Sequence, residues 1–142
     1  MVNNFIDSSY SDVLGINPKY NAIIETSLTE KGFVAYKAIV NRCAHSLLHY
    51  EEIRARGFAG SYTFGVMRWR DDGLLHPMSF NTSQIDYYCG VKVAGATMSK
   101  LVRMGLLKIT SKGTTTQYAL PDDFFTTNDL SIGLYQPIDT SF

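Results

Sequence analysis

Several residue types that define whole classes of protein are scarce in this 142-residue chain. Its two cysteines, Cys43 and Cys89, are too few and too far apart for a disulfide framework or a thiolate metal cage. They suit a reducing compartment and read as small buried apolar side chains. No apolar run approaches the ~20 residues needed to span a bilayer. Met1-Val2-Asn3-Asn4 lacks the basic-then-apolar pattern of a secretion signal, so a cytoplasmic location is expected, with no membrane partner. There is no HExxH arrangement, no glycine-rich phosphate loop and no glycine-flanked serine. An enzyme is therefore not expected, nor a cofactor.

Neither sign of charge is in surplus, with 13 Lys and Arg against 13 Asp and Glu. An even spread would speak against a nucleic-acid partner, but the charges are segregated. Residues 29–120 hold 12 of the 13 cations and 6 of the 13 acids. Residues 1–28 carry Lys19 against Asp7, Asp12 and Glu25; residues 121–142 carry Asp122, Asp123, Asp129 and Asp139 with no cation. Screening limits a charge's reach to about 8–10 Å, so a basic middle with acidic ends is compatible with DNA if the ends lie elsewhere.

With 45% hydrophobic residues, the chain can build a core for one domain, or one domain with arms. Residues 1–28, rich in Asn, Ser and Asp, read as an arm with short helical pieces at Asp12–Leu14 and Tyr20–Leu28. Ser27 or Thr29 suits the cap of the next helix. Phe33–Arg56 reads as the longest helix. At about 100° per residue, Phe33, Tyr36, Ile39, Val40, Cys43, Ala44, Leu47, Leu48 and Tyr50 share a broad face. A stripe this wide fits a core and a dimer seam together. On the other side, His45, His49 and Glu52 have a spacing that suits zinc, but a solvated polar face with a His49–Glu52 pair is the preferred reading.

Ser61–Arg70 is aromatic and β-prone, Asp71-Asp72-Gly73 is a turn, and Leu74–Phe80 is the returning strand, held to a sheet edge by Pro77. Arg68, Trp69 and Arg70 make a basic, stacking cluster suited to DNA. The preferred reading, though, is a hairpin whose Trp69 packs on the core while the arginines stay in water.

The pattern is sharpest from Phe80 to Leu120. Asn81, Thr82 or Ser83 can cap a helix over Ser83–Cys89 that turns Ile85 and Tyr88 inward. Gly90 supplies a positive-φ position for a tight turn, and Val91 is expected to anchor that turn in the core. In a second helix, Ala94–Met104, one side carries Ala94, Met98, Leu101 and Gly105. The other carries Lys92, Ala96, Ser99, Lys100 and Arg103. Leu106–Leu120 then reads as two strands around Ser111-Lys112-Gly113-Thr114, with Leu107 and Ile109 inward on the first and Thr116, Tyr118 and Leu120 on the second.

Ser83-Gln84-Ile85, Gly90-Val91, Thr97-Met98-Ser99-Lys100-Leu101, Met104-Gly105-Leu106-Leu107 and Tyr118-Ala119-Leu120 together resemble a winged helix-turn-helix domain. Two features depart from that class: Asp86 stands where an alanine usually packs, and the run from Val91 to Gly105 is about two residues short. The fold class expected is α+β: a mainly helical winged helix-turn-helix over 29–120, a β-hairpin wing at its C-terminal end, and irregular acidic arms at 1–28 and 121–142.

The resemblance implies site-specific binding of double-stranded DNA, usually by a symmetric dimer, here through the 33–56 helix and the arms. The helix would enter the major groove and the wing would meet the backbone. Arg103 is the residue suited to reading guanine. Lys92 and Lys100 suit phosphates, Thr97 and Ser99 are short-range donors, and Lys108 and Lys112 belong to the wing. A transcriptional regulator is the first reading. A plasmid or phage replication or partition factor is the alternative within DNA-binding proteins. A winged-helix module that binds protein is the alternative outside them.

Overall fold

The computed structural model describes residues 5–56, 64–69 and 71–136. Gly57, Tyr62, Arg70, Asp139 and Phe142 lie outside these. Among the described residues the chain is α+β, with six helices and three two-stranded antiparallel sheets.

The N-terminal part is not an irregular arm. It forms helix α1 (Ser8–Ser11), strand β1 (Leu14–Ile16) and helix α2 (Pro18–Ser27). Asp12–Leu14 was expected to be helical; instead, Leu14 opens a strand that pairs with β6 (Phe125–Thr127) in the tail. The tail is therefore ordered at that point too. Phe5, Ile6, Leu14, Tyr20, Ile24, Phe124 and Phe125 join the same buried cluster as the central helices. These apolar side chains explain the order: left in water, each would forgo about 1.5–3 kcal/mol of burial. One acid at this end is paired locally. Asp123 accepts a hydrogen bond from the Tyr20 hydroxyl and meets Lys19 Nζ at 2.5 Å. Burial pushes the Asp123 carboxyl up, but the bonds from Lys19 and Tyr20 outweigh it and hold it below the usual carboxylate range.

Helix α3 (Glu30–Leu48) is the central element. Thr29 caps it, its hydroxyl accepting from the Gly32 N–H at 3.1 Å. Tyr36, Ile39, Val40, Cys43 and Ala44 are fully buried along it. The single helix expected over 33–56 is broken. His49 leaves helical geometry (φ −108°, ψ 16°), and a separate short helix α4 (Tyr50–Ala55) follows. Glu51 and Glu52 fall in the first turn of α4, where acids complement a helix N-terminus. The broad apolar stripe is covered by this chain's own Phe5, Phe124, Ile85 and Leu101 neighbourhoods, so its width requires no second copy.

Strands β2 (Val66–Arg68) and β3 (Leu75–Pro77) form the expected hairpin, with Val66 opposite Pro77. The roles expected of its side chains are exchanged. Trp69 is 50% exposed, while Arg68 is the half-buried one. Arg68 donates to the Gly73 carbonyl at 2.5 Å, pairs with Glu51 at 3.1 Å and lies over the Tyr50 ring. A guanidinium can be satisfied on several sides at once, so it occupies the inner position that the indole leaves.

Helix α5 (Thr82–Cys89), helix α6 (Gly95–Arg103) and the hairpin of β4 (Lys108–Ser111) with β5 (Gln117–Ala119) complete the chain. Phe80 bridges to Tyr118 by two 2.7 Å backbone hydrogen bonds, which tie the start of α5 to the hairpin. No helix among the described residues is long and apolar enough to cross a membrane.

Candidate nucleic-acid interface

The geometry of the α5–α6–hairpin unit follows from its caps. The Asn81 side chain accepts from the Gln84 N–H, and the Gln84 side chain accepts from the Asn81 N–H, both at 2.9 Å. This reciprocal capping box starts α5 at Thr82. Gly90 ends it at φ +69°, a left-handed conformation that costs glycine nothing. The link 91–94 has no regular secondary structure, and Val93, not the expected Val91, packs against the core. Helix α6 ends in a Schellman motif. Gly105 takes φ +78°, its N–H bonds to the Val102 carbonyl, and the Leu106 N–H bonds to the Leu101 carbonyl, both at 3.0 Å. That reversal directs Leu106 and Leu107 into the core and turns the chain into β4.

Met98 and Leu101, both buried, hold α6 against the core. Ala96, Ser99, Lys100 and Arg103 are exposed along it. Its first turn has no side-chain cap, so the leading N–H groups stay open to solvent or an anion. Lys92 is exposed in the link before the helix, not on the helix itself. Thr97 is half-buried and lines a cleft toward the start of α3, together with Lys100.

In the hairpin, Lys112 is exposed in the loop 112–116. Lys108 is exposed too, but its Nζ meets Asp122 at 2.5 Å, so an acid from the tail neutralises one hairpin cation. The strand alternation is looser than expected. Leu107 and Tyr118 are inward, but Ile109 is 37% exposed and Ala119 is buried beside Leu120. The register shift between Ile109 and Ser111 accounts for this, because a bulge re-aims the side chains around it. No acid pairs with Lys92, Lys100, Arg103 or Lys112 among the described residues.

One cation escaped the sequence reading. Lys31, in the first turn of α3, lines the same cleft as Lys100. Helical periodicity places it on the exposed side of α3, but nothing local indicates that this end of α3 abuts α6.

His49 pairs with Glu52 at 3.4 Å, as expected. His45 accepts from or donates to the Tyr10 hydroxyl at 3.1 Å, and its ring packs on His49. No group of three His, Cys, Asp or Glu side chains among the described residues can hold a metal ion. Burial pushes the Cys43 thiol well up and the Cys89 thiol to about 11, so neither is a ready thiolate nucleophile. Comparison with protein-family models, curated proteins and solved structures finds no match to this chain.

Proposed function

We propose that this chain is a winged helix-turn-helix protein that binds double-stranded DNA, with α6 in the major groove and the β4–β5 hairpin as the wing on the backbone. The observation that carries the reading is the division of α6 into two sides. Met98 and Leu101 fix one side in the core, while Ser99, Lys100 and Arg103 stand exposed and without acid partners among the described residues on the other. Lys92 before the helix and Lys112 on the hairpin loop extend that cationic surface. An α-helix fits the major groove, where the fork of Arg103 matches the two acceptors of guanine. The lysines act as point charges toward phosphates, which position the protein without reading sequence. Gly95 and Ala96 are small and exposed, so the backbone of α6 can approach a duplex closely. The role of transcriptional regulator rests on the class resemblance alone.

Fluorescence anisotropy on a mixed-sequence duplex across a salt series tests the reading. Three lysines on three phosphates give a slope of log K against log[salt] of about −2.7. Non-specific affinity in the range of roughly 10⁻⁴–10⁻⁶ M is then measurable at low salt. A folded chain that shows no binding at ~50 mM salt is not a DNA-binding protein of this kind. Sedimentation of the same samples gives the oligomeric state.

A further inference from the structure

The cleft between the start of α3 and α6 has a volume of about 100 Å³, and among the described residues its only ionisable lining groups are Lys31 and Lys100. Thr29 and Thr97 each add a hydroxyl, one from the cap of α3 and one from α6. The nearby acids Glu25 and Glu30 line a different groove, together with Ile24, Phe33 and Val34. Neither lysine has an acid partner among the described residues. Gly32 forms part of the lining and has no side chain to fill it. A Cβ there would lie 3.3 Å from the Thr29 hydroxyl oxygen and 3.4 Å from a Leu28 methyl. An anion in this cleft would meet two like charges, one from each helix, with no acid among its lining residues to oppose it.

We propose that this cleft seats one backbone phosphate of the duplex that α6 engages, with Lys31 and Lys100 donating to the same phosphate. The inference rests on the DNA reading and extends the contact surface from α6 and the hairpin to α3. A phosphate held between two helices fixes the angle at which α6 enters the groove, which a contact from α6 alone does not.

The test uses the full chain and a fluorescein-labelled mixed-sequence duplex in a salt series. The proteins are the unaltered chain, Lys31→Gln, Lys100→Gln, the double variant, and Arg56→Gln, an exposed cation beyond the far end of α3. Lys31→Gln is expected to weaken binding by roughly three- to tenfold with the salt slope nearly unchanged, because Lys100 still covers the shared phosphate, while Arg56→Gln matches the unaltered chain. Because the two lysines share one phosphate, the double variant loses less than the product of the single losses. Losses that simply multiply overturn the shared phosphate. Unchanged binding by Lys31→Gln overturns the cleft while leaving the DNA reading intact. It does so even if inorganic phosphate shifts the amide NMR signals of residues 29–32, since the cleft would then take a free anion instead. No duplex binding by the unaltered chain overturns both readings.

Discussion

The Tyr36 hydroxyl, on a fully buried side chain in the middle of α3, donates a 2.6 Å hydrogen bond to the carbonyl of Leu106. Leu106 is the residue at which α6 gives way to the hairpin, so this bond fixes the α6–hairpin junction to the central helix. Burial raises the Tyr36 phenol well above its ordinary value, which keeps the donor proton in place across the accessible pH range. Tyr36→Phe leaves the Leu106 carbonyl buried without this partner. The expected loss is about 1–3 kcal/mol in urea unfolding. A loss below ~0.5 kcal/mol would mean that another donor replaces the hydroxyl.

Lys100 and Arg103 are exposed on the outward side of α6, so removing them should spare the fold and, on the proposed reading, abolish duplex binding. Lys100→Ala/Arg103→Ala is expected to keep the unaltered unfolding midpoint and to lose duplex binding. Arg103→Ala alone is expected to cost about 1–3 kcal/mol of discrimination at one base pair once a preferred site has been selected. Retained binding by the double variant places the interface on another surface.

Asp122 pairs with Lys108 on β4 and, on the proposed reading, competes with a phosphate for it. Asp122→Asn releases it. Tighter duplex binding is expected, with a salt slope steeper by up to about 0.9, because one more lysine becomes available to a phosphate. Stability should change little, since partly exposed ion pairs contribute about 0–1 kcal/mol. An unchanged slope in this variant removes Lys108 from the interface.

The parts of this chain that were legible in sequence are those whose signal is local. A cap among Asn81, Thr82 and Ser83, the glycines at 90 and 105, and the Met98/Leu101 stripe mark α5, α6 and their ends within a few residues, while the reciprocal Gln84 bond that singles out Asn81 was not read. The Thr29 cap of α3 is of the same kind. What was missed depends on distant partners. Leu14–Ile16 is three residues long and becomes a strand only because Phe125–Thr127 lies beside it. Arg68 ends β2 and Trp69 follows it, but which one turns inward depends on Glu51 and Tyr50 of α4. The break at His49 did leave a trace, in two consecutive glutamates set within an apolar pattern. The candidate site was readable to the extent that it lies on α6; Lys31 belongs to it only through the packing of α3 on α6.

His45 gives the fold a pH dependence near neutrality. Burial is the main reason its pKa lies below the ordinary 6.5, with Arg42 and His49 adding to the effect against a small opposing pull from Glu52. The native state therefore takes up a proton less readily than the unfolded chain. Stability is full above about pH 6.5 and declines as pH falls below it, until the native imidazole itself protonates. His45→Gln keeps a polar partner for Tyr10 and removes the titration. Thermal melts between pH 7 and 5 should show a flatter trend for this variant than for the unaltered chain. Parallel trends would locate the proton uptake in another group.

Gly65 and Gly90 share left-handed geometry, at φ +78° and +69°, but differ in what surrounds them. A Cβ at Gly90 meets nothing within 4 Å, whereas a Cβ at Gly65 overlaps the buried sulfur of Cys43 on α3. Gly90→Ala therefore carries only the backbone penalty, about 1–2 kcal/mol. Gly65→Ala carries that penalty plus the displacement of either the hairpin or α3, and is expected to exceed the Gly90→Ala loss by at least about 1 kcal/mol. The excess should shrink in a Cys43→Ala background, because the sulfur is the obstructing atom and the Cys43 Cβ lies at an ordinary 3.5 Å. Equal losses at the two glycines, with no dependence on Cys43, would show that the β2–β3 hairpin yields freely against α3. The hairpin would then be a loosely held element.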